Sequence, residues 1–294
     1  MPNELLLRRL AGLSLGLALA GMLMGCAQMQ QVAEGVARRT GGERAVSVVR
    51  GGTSLVSGLL PIGYEEEQSI GAALALQVLA RYNGTYDNPE LTRYVNLVGR
   101  AVALTSDRPN SDYYFAILNH DSINAFATPG GYVFLTKGLL KQIRNEAELA
   151  AVLGHEIGHI SAKHILEIMQ RNKQLAGVIE AGLAAAGRNP ELFKGLIDQA
   201  ANKLLDEGLD QSKELEADRL GAVFAARVGY DPNAYVTLLE RLRTLKGDDR
   251  AFFKTHPNFS SRIDEVQTSL RALGQPLTGA LLDERFMQHV VRRL

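Results

Sequence analysis

Cysteine is nearly absent: Cys26 stands alone among 294 residues. No disulfide can close within the chain, and no cysteine-based structural zinc site can form. Net charge is absent too, since 32 Lys and Arg balance 32 Asp and Glu. Without a basic footprint, nucleic acid is not an expected partner. Aromatics are sparse at 6%, and the apolar run Leu10 to Met24, at 15 residues, falls short of a bilayer-spanning helix. What is present is ordinary for a globular protein, 46% hydrophobic and 22% charged, which rules out a disordered or collagen-like chain. The length suffices for one large core or two small ones.

Arg8 and Arg9 ahead of the apolar run read as a secretory signal. The run ends in Leu23-Met24-Gly25-Cys26, which resembles the bacterial lipobox. Cleavage before Cys26 would remove residues 1–25 as a lipoprotein signal peptide and leave a thiol carrying diacylglycerol. A third acyl chain would make attachment stable, at roughly 0.8 kcal/mol per buried methylene. Position 27 is Ala; an Asp there would resemble an inner-membrane retention signal, so the reading is outer membrane, periplasmic face. The alternative is a plain N-terminal anchor with an incidental cysteine. Residues 26–62, rich in Gly, Ser, Gln and Val without a clean period, read as a tether and docking segment. Residues 63–294 read as a single further domain.

Within that domain a helix is expected from Tyr64, with acidic residues in its first turn. Asn88-Pro89 opens a second, carrying Leu91, Tyr94, Val95, Val98 and Val102 on one stripe. The period then changes. Tyr113–Leu118, Ser122–Ala127 and Tyr132–Leu135 read as strands, the last two joined by Thr128-Pro129-Gly130-Gly131. Beyond Lys137 the pattern is helical almost throughout. Asn145 is the expected cap of one helix, with Glu148 three residues on as in a capping box. Asp231-Pro232 and Ser260 or Ser261 open later ones, and Leu175–Gly187 is too short for a membrane span. The fold class is α+β, mostly helical with a small sheet. No repeat of 20–50 residues is visible.

The chemistry lies in His155-Glu156-Ile157-Gly158-His159. On a helix, His155 and His159 share one face and can bind one metal ion. Glu156, offset by about 100°, reaches a water beside that metal without being a ligand. A catalytic zinc takes three protein ligands and keeps one position open. Lys213-Glu214-Leu215-Glu216-Ala217-Asp218 offers the third. Glu214 and Asp218 share a face and Glu216 points away. One of the pair can bind metal while the other holds a ligand histidine, and spacing does not say which.

The windows HEIGHISAKH and SKELEADRLGA, preceded by NAFATPGGYVFLTKGLL, resemble the HtpX / CAAX prenyl protease family of gluzincin zinc metallopeptidases over roughly residues 65 to 270. The resemblance implies a zincin-like fold with the sheet beside the HExxH helix. It assigns Glu214 as third ligand to one zinc ion per chain, and Asp218 as the support of His155. It implies a zinc-dependent endopeptidase that hydrolyses peptide bonds with a zinc-activated water and Glu156 as general base. Substrates would be unfolded or misassembled envelope proteins. Asn124 to Phe134, notably Asn124, Ala125 and Phe126, resembles the family's edge strand, along which a substrate lies extended; the same residues would also serve as a core hairpin. His256, in Thr255-His256-Pro257-Asn258 ahead of Arg262, matches a His-Pro element that approaches the zinc as a latch or an oxyanion helper; otherwise it is an exposed residue in a helix-entry loop. Some members append a helical-repeat module, which is not expected here.

His164 lies nine residues past His155, so on a continuous helix it falls about 180° away and serves a structural hydrogen bond. His120 and His289 carry no partner pattern. Residues 172–205 would form either a lid over the cleft or a solvated connector. The main competing function is a lipoprotein chaperone or assembly factor whose zinc site is structural or latched, with His256 as fourth ligand. A non-peptide zinc hydrolase is weaker. Iron, cobalt or manganese also suit these donors; site type favours zinc.

Overall fold

A computed structural model describes residues 61–172, 174, 192–245, 255–256, 259–272 and 278–294. The expected signal peptide, Cys26, Ala27, nearly all of the tether and Leu175–Gly187 lie outside the described residues. The chain divides into two units, residues 62–169 with 194–294, and residues 1–61 with 170–193. The architecture below belongs to the first.

Helix α1 (Tyr64–Arg81) begins with three glutamates in its first turn, where the helix dipole favours them. Helix α2 (Pro89–Ala103) starts where Asn88 Oδ1 accepts the Leu91 amide at 3.1 Å, and its expected stripe is buried. Three strands follow, β1 (Tyr114–Leu118), β2 (Ala125–Thr128) and β3 (Tyr132–Thr136). They form a sheet ordered β1-β3-β2, with β1 parallel and β2 antiparallel to β3. The turn between β2 and β3 works because Gly130 and Gly131 take positive φ, 74° and 90°. The second strand starts three residues later than its alternation suggests. The Thr136 amide still donates to the Asn124 carbonyl at 3.0 Å, but the Asn124 amide and the Ser122 carbonyl bond Thr136 Oγ1, at 3.0 and 2.6 Å, in place of further ladder bonds.

Alternation along the strands splits the core in two. Phe115, Ile117, Ala125, Ala127, Val133 and Leu135 pack toward the helices that carry the histidines and carboxylates. Phe126 and Phe134 pack oppositely, against Ile70, Leu74 and Val78 of α1 and against Ile165 and Met169.

Helix α3 (Glu146–Ser161) holds the histidine motif. Asn145 Oδ1 caps it through the Glu148 amide at 2.9 Å. Glu148 does not close the box on Asn145; it accepts from the Arg144 amide at 2.8 Å and from Arg241. Beyond α3 come α4 (Leu192–Asn202), α5 (Gln211–Val228), α6 (Asn233–Arg243) and α7 (Phe259–Ala272). Asp231 Oδ1 accepts the Asn233 amide at the start of α6. No described helix is long and apolar enough to cross a membrane.

One contact sets the site. Helices α3 and α5 meet backbone to backbone: a Cβ on Gly221 would stand 2.5 Å from the His155 nitrogen, and one on Gly158 would stand 3.0 Å from the Ala217 carbonyl oxygen. Hydrogen in place of a side chain therefore lets the helix bearing Glu214 and Asp218 lie directly on the helix bearing His155 and His159.

Candidate metal centre

His155 and His159 project from the C-terminal half of α3, one turn apart. Their Nε2 atoms face each other at 3.0 Å. Their other nitrogens are held from behind. Asp218 Oδ1 accepts from His155 Nδ1 at 2.8 Å, and His159 Nδ1 shares a hydrogen bond with His164 Nδ1 at 2.8 Å. Fixing Nδ1 in this way presents the Nε2 lone pairs to a common point.

Glu214, in the first turn of α5, completes that point. Its Oε1 lies 3.4 Å from His159 Nε2, and its Oε2 lies 3.6 Å from His155 Nε2. Burial opposes ionisation of this carboxyl, but His256, His159 and His155 together hold it well below the usual carboxylate range. Glu214 Oε1 is buried and has no hydrogen-bond partner among the described residues. His256 supplies a fourth donor, with Nδ1 2.8 Å from Glu214 Oε2. One atom from each of His155, His159, Glu214 and His256 lies within 4.8 Å of the others. Imidazoles and a carboxylate, two of them with paired nitrogens behind and one with an orphaned oxygen, fit a divalent ion of the zinc type.

Glu156 is buried beside this cluster, and burial pushes its carboxyl above the ordinary value. It lines a narrow cavity of about 20 Å³ together with His159, Glu214 and His256. Ala125, Phe126 and Ala127 of β2, an edge strand of the sheet, form one wall. Asn124 stands just before it; its Oδ1 accepts the Ala125 amide at 2.9 Å. The cover is Leu204, Gly208 and Leu209 with Thr255. Leu204 falls in the connector that sequence offers as a lid, and most of that connector lies outside the described residues. A space of this size holds about one water.

One alternative falls and one expectation changes. His256 is buried and turned onto Glu214, which removes the alternative of an exposed loop residue. His164 is not on the far side of a continuous helix. The helix ends at Ser161, Lys163 takes φ 57°, and the chain turns back to set His164 on His159. Glu216, which faces away from Glu214, reaches His164 Nε2 at 3.4 Å.

Two residues without a sequence-level role also belong here. Arg262 is fully buried and grips Asp218 with both Nε and Nη2 at 2.7 Å. Tyr235 donates to Asp218 Oδ1 at 2.6 Å. Burial disfavours charge on Arg262, but Asp218 outweighs it. Neither carries a local signal, since each meets Asp218 only through tertiary packing, of α7 on α5 and of α6 on α7 and α3.

The fold and this donor set define a zincin-like metallopeptidase. The chain belongs to peptidase family M48, whose model matches residues 89–270. It is 29% identical to the beta-barrel assembly-enhancing protease of Yersinia pestis over 236 residues, 76% of this chain and 48% of that protein. The protein of the same name from Escherichia coli O157:H7 is 32% identical over 192 residues, 62% of this chain and 39% of the relative. Mitochondrial metalloendopeptidase OMA1 of Schizosaccharomyces pombe is 32% identical over 183 residues, 60% of this chain and 52% of the relative. The chain thus spans about half the length, or less, of these curated relatives.

Proposed function

We propose that this chain is a zinc endopeptidase in which His155, His159 and Glu214 hold the metal and Glu156 is the general base. The observation that carries the reading is the Glu214 carboxylate: buried, beside two imidazoles, with one oxygen that no described residue satisfies. A divalent ion bound there would supply Lewis acidity, polarising a peptide carbonyl and lowering the pKa of a water toward about 7. The protein's own groups do the rest. Asp218, gripped by Arg262 and Tyr235, keeps His155 in one tautomer and orientation, and His164 does so for His159. Glu156 takes a proton from the attacking water and passes it to the leaving amine. Burial, which favours its protonated form, suits the second half of that task.

The edge of β2 at Ala125 and Phe126 is the proposed seat of an extended substrate, through main-chain hydrogen bonds. A cavity that holds one water does not admit a peptide, so Leu204–Leu209 and Thr255–His256 withdraw before cleavage. The contact of His256 with Glu214 favours a latch over a catalytic helper. It also supports the second reading, a lipoprotein chaperone or assembly factor whose site stays latched. His256→Ala should raise casein cleavage; a fall would assign His256 to catalysis.

The finer likeness to the HtpX / CAAX prenyl protease branch rests on the motif windows. The names of the bacterial relatives support a role in envelope protein quality control, with unfolded or misassembled envelope proteins as substrates. Lipidation at Cys26 would place the enzyme on the periplasmic face, with Ala27 favouring the outer membrane. The test is casein cleavage by the full chain, with and without a chelator, for wild type and Glu156→Gln. The variant should retain metal and lose about 10²–10⁴-fold in rate. A Glu156→Gln protein that cleaves at the wild-type rate would end the proposal.

A further inference from the structure

A larger cavity, of about 500 Å³, opens at the other end of α3. That is the size class of small-ligand sites, roughly 300–1,000 Å³. One wall is a single face of α2, where Arg93, Leu97 and Ala101 follow at i, i+4 and i+8. A cation therefore stands at the head of an apolar strip, and Leu97 is 60% exposed along it. The facing wall is the C-terminal segment, with Arg285 and Arg293. Tyr94, Tyr230 and Glu146 form the floor.

The charges around this cavity do not cancel locally. Glu146 is already satisfied by Arg285, whose Nε lies 2.6 Å from Oε2, by Tyr230 Oη at 2.5 Å and by Tyr94 Oη. Glu90 is paired with Arg293. Two acids are thus matched by two arginines. Arg93 has no ion-pair partner among the described residues, and its guanidinium is the unmatched charge at this cavity.

We infer that this cavity is a second binding site, which takes the free C-terminal carboxylate of a polypeptide with apolar last residues. The carboxylate sits at Arg93 and the apolar side chains lie along Leu97 and Ala101. A long alkyl chain carries the same headgroup, but it would cover the guanidinium N–H donors that Arg285 and Arg293 do not spend on Glu146 and Glu90. Main-chain carbonyls can accept from them. The occupant is therefore a peptide tail, and this identification rests on the reading that the chain acts on polypeptides. Its position has a structural corollary. Glu146 is the first residue of α3, and Tyr230 follows Gly229, the cap of α5. A bound tail touches the ends of both helices that carry the metal donors.

The test uses the full chain carrying Glu156→Gln, so that the probe is not cut. Fluorescein-labelled Gly-Ser-Ala-Val-Leu is titrated as the free acid and as the C-terminal amide, followed by anisotropy. The acid should bind about tenfold more tightly, the effect of one charge-assisted contact. Arg93→Glu should erase that preference and Arg93→Lys should keep most of it. Ala101→Trp, which fills the cavity, should block both probes, with melting curves reporting that each variant is folded. Equal binding of acid and amide, or no binding of either, overturns the site. Laurate that binds with the Arg93 dependence when the peptide acid does not overturns the assignment to polypeptide. Casein cleavage by wild type is measured alongside. Cleavage without acid preference removes only this site; acid preference without cleavage removes only the peptidase reading.

Discussion

The two ends of helix α3 hold buried carboxylates in opposite circumstances. At its first residue, Glu146 receives two tyrosine hydroxyls and the guanidinium of Arg285, so every lone pair that matters is met. Beside its later turns, Glu214 keeps an oxygen that no group among the described residues satisfies. Both acids are almost completely buried, and both are held below the ordinary carboxylate range. Burial opposes ionisation at each. Arginine and tyrosines outweigh it at Glu146, and three imidazoles do so at Glu214. A charge satisfied from within is architecture. A charge left with an open valence is a place for something the polypeptide does not itself contain.

Glu214→Gln should break the contrast most severely. It keeps the volume and removes the charge, so bound zinc should fall from about one equivalent toward none, and casein cleavage with it. Metal analysis of the purified variant reads this directly; full retention of zinc would show that Glu214 is not a ligand. At the other end, Glu146→Gln should leave zinc content unchanged and lower stability. Its cost should be about 1–3 kcal/mol, less than for a sealed ion pair because Arg285 is half exposed and can be resolvated. Thermal melts of the two variants side by side would sharpen the distinction. A Glu146→Gln protein that sheds its metal would erase it.

The smallest effect is a pH dependence. Burial raises the Glu146 carboxyl, but Arg285, Tyr230 and Tyr94 bring it below its unfolded value, which is about 4.3. Its contribution to stability is therefore complete above that value and is lost as pH falls through the lower folded one. The gap in melting temperature between wild type and Glu146→Gln should be constant near neutrality and close below about pH 4. A gap that widened on acidification would reverse the assignment.

The Glu214 side of this contrast is legible in the sequence and the Glu146 side is not, and what is illegible has a common cause. Asn88 and Asn145 announce their helices because a cap is a local bond. His155 and His159 announce theirs because one helical turn is a fixed geometry. His164 was placed wrongly by the same rule, since one residue with positive φ ends the period on which the rule depends. The start of β2 was misjudged where bonds to the Thr136 side chain stand in place of further ladder bonds. Tyr235, Arg262, Tyr230 and Arg285 could not be found, because each meets its carboxylate across 17 to 139 positions of chain. Periodicity carries no information at that range; only the packed core does.

The near-absence of side chains where α3 crosses α5 reaches beyond packing. Because the two backbones touch at Gly221, the gap between the histidines and the acids is ruled by peptide atoms, which have no rotamers to adjust. An added methyl at that crossing would lengthen the span between donors by a step that no side-chain rearrangement can take back. The mouth of the cleft, built from leucines and a loop, is made of side chains that can adjust. The gauge beneath it is not, and a redesign of specificity should leave that pair of hydrogens alone.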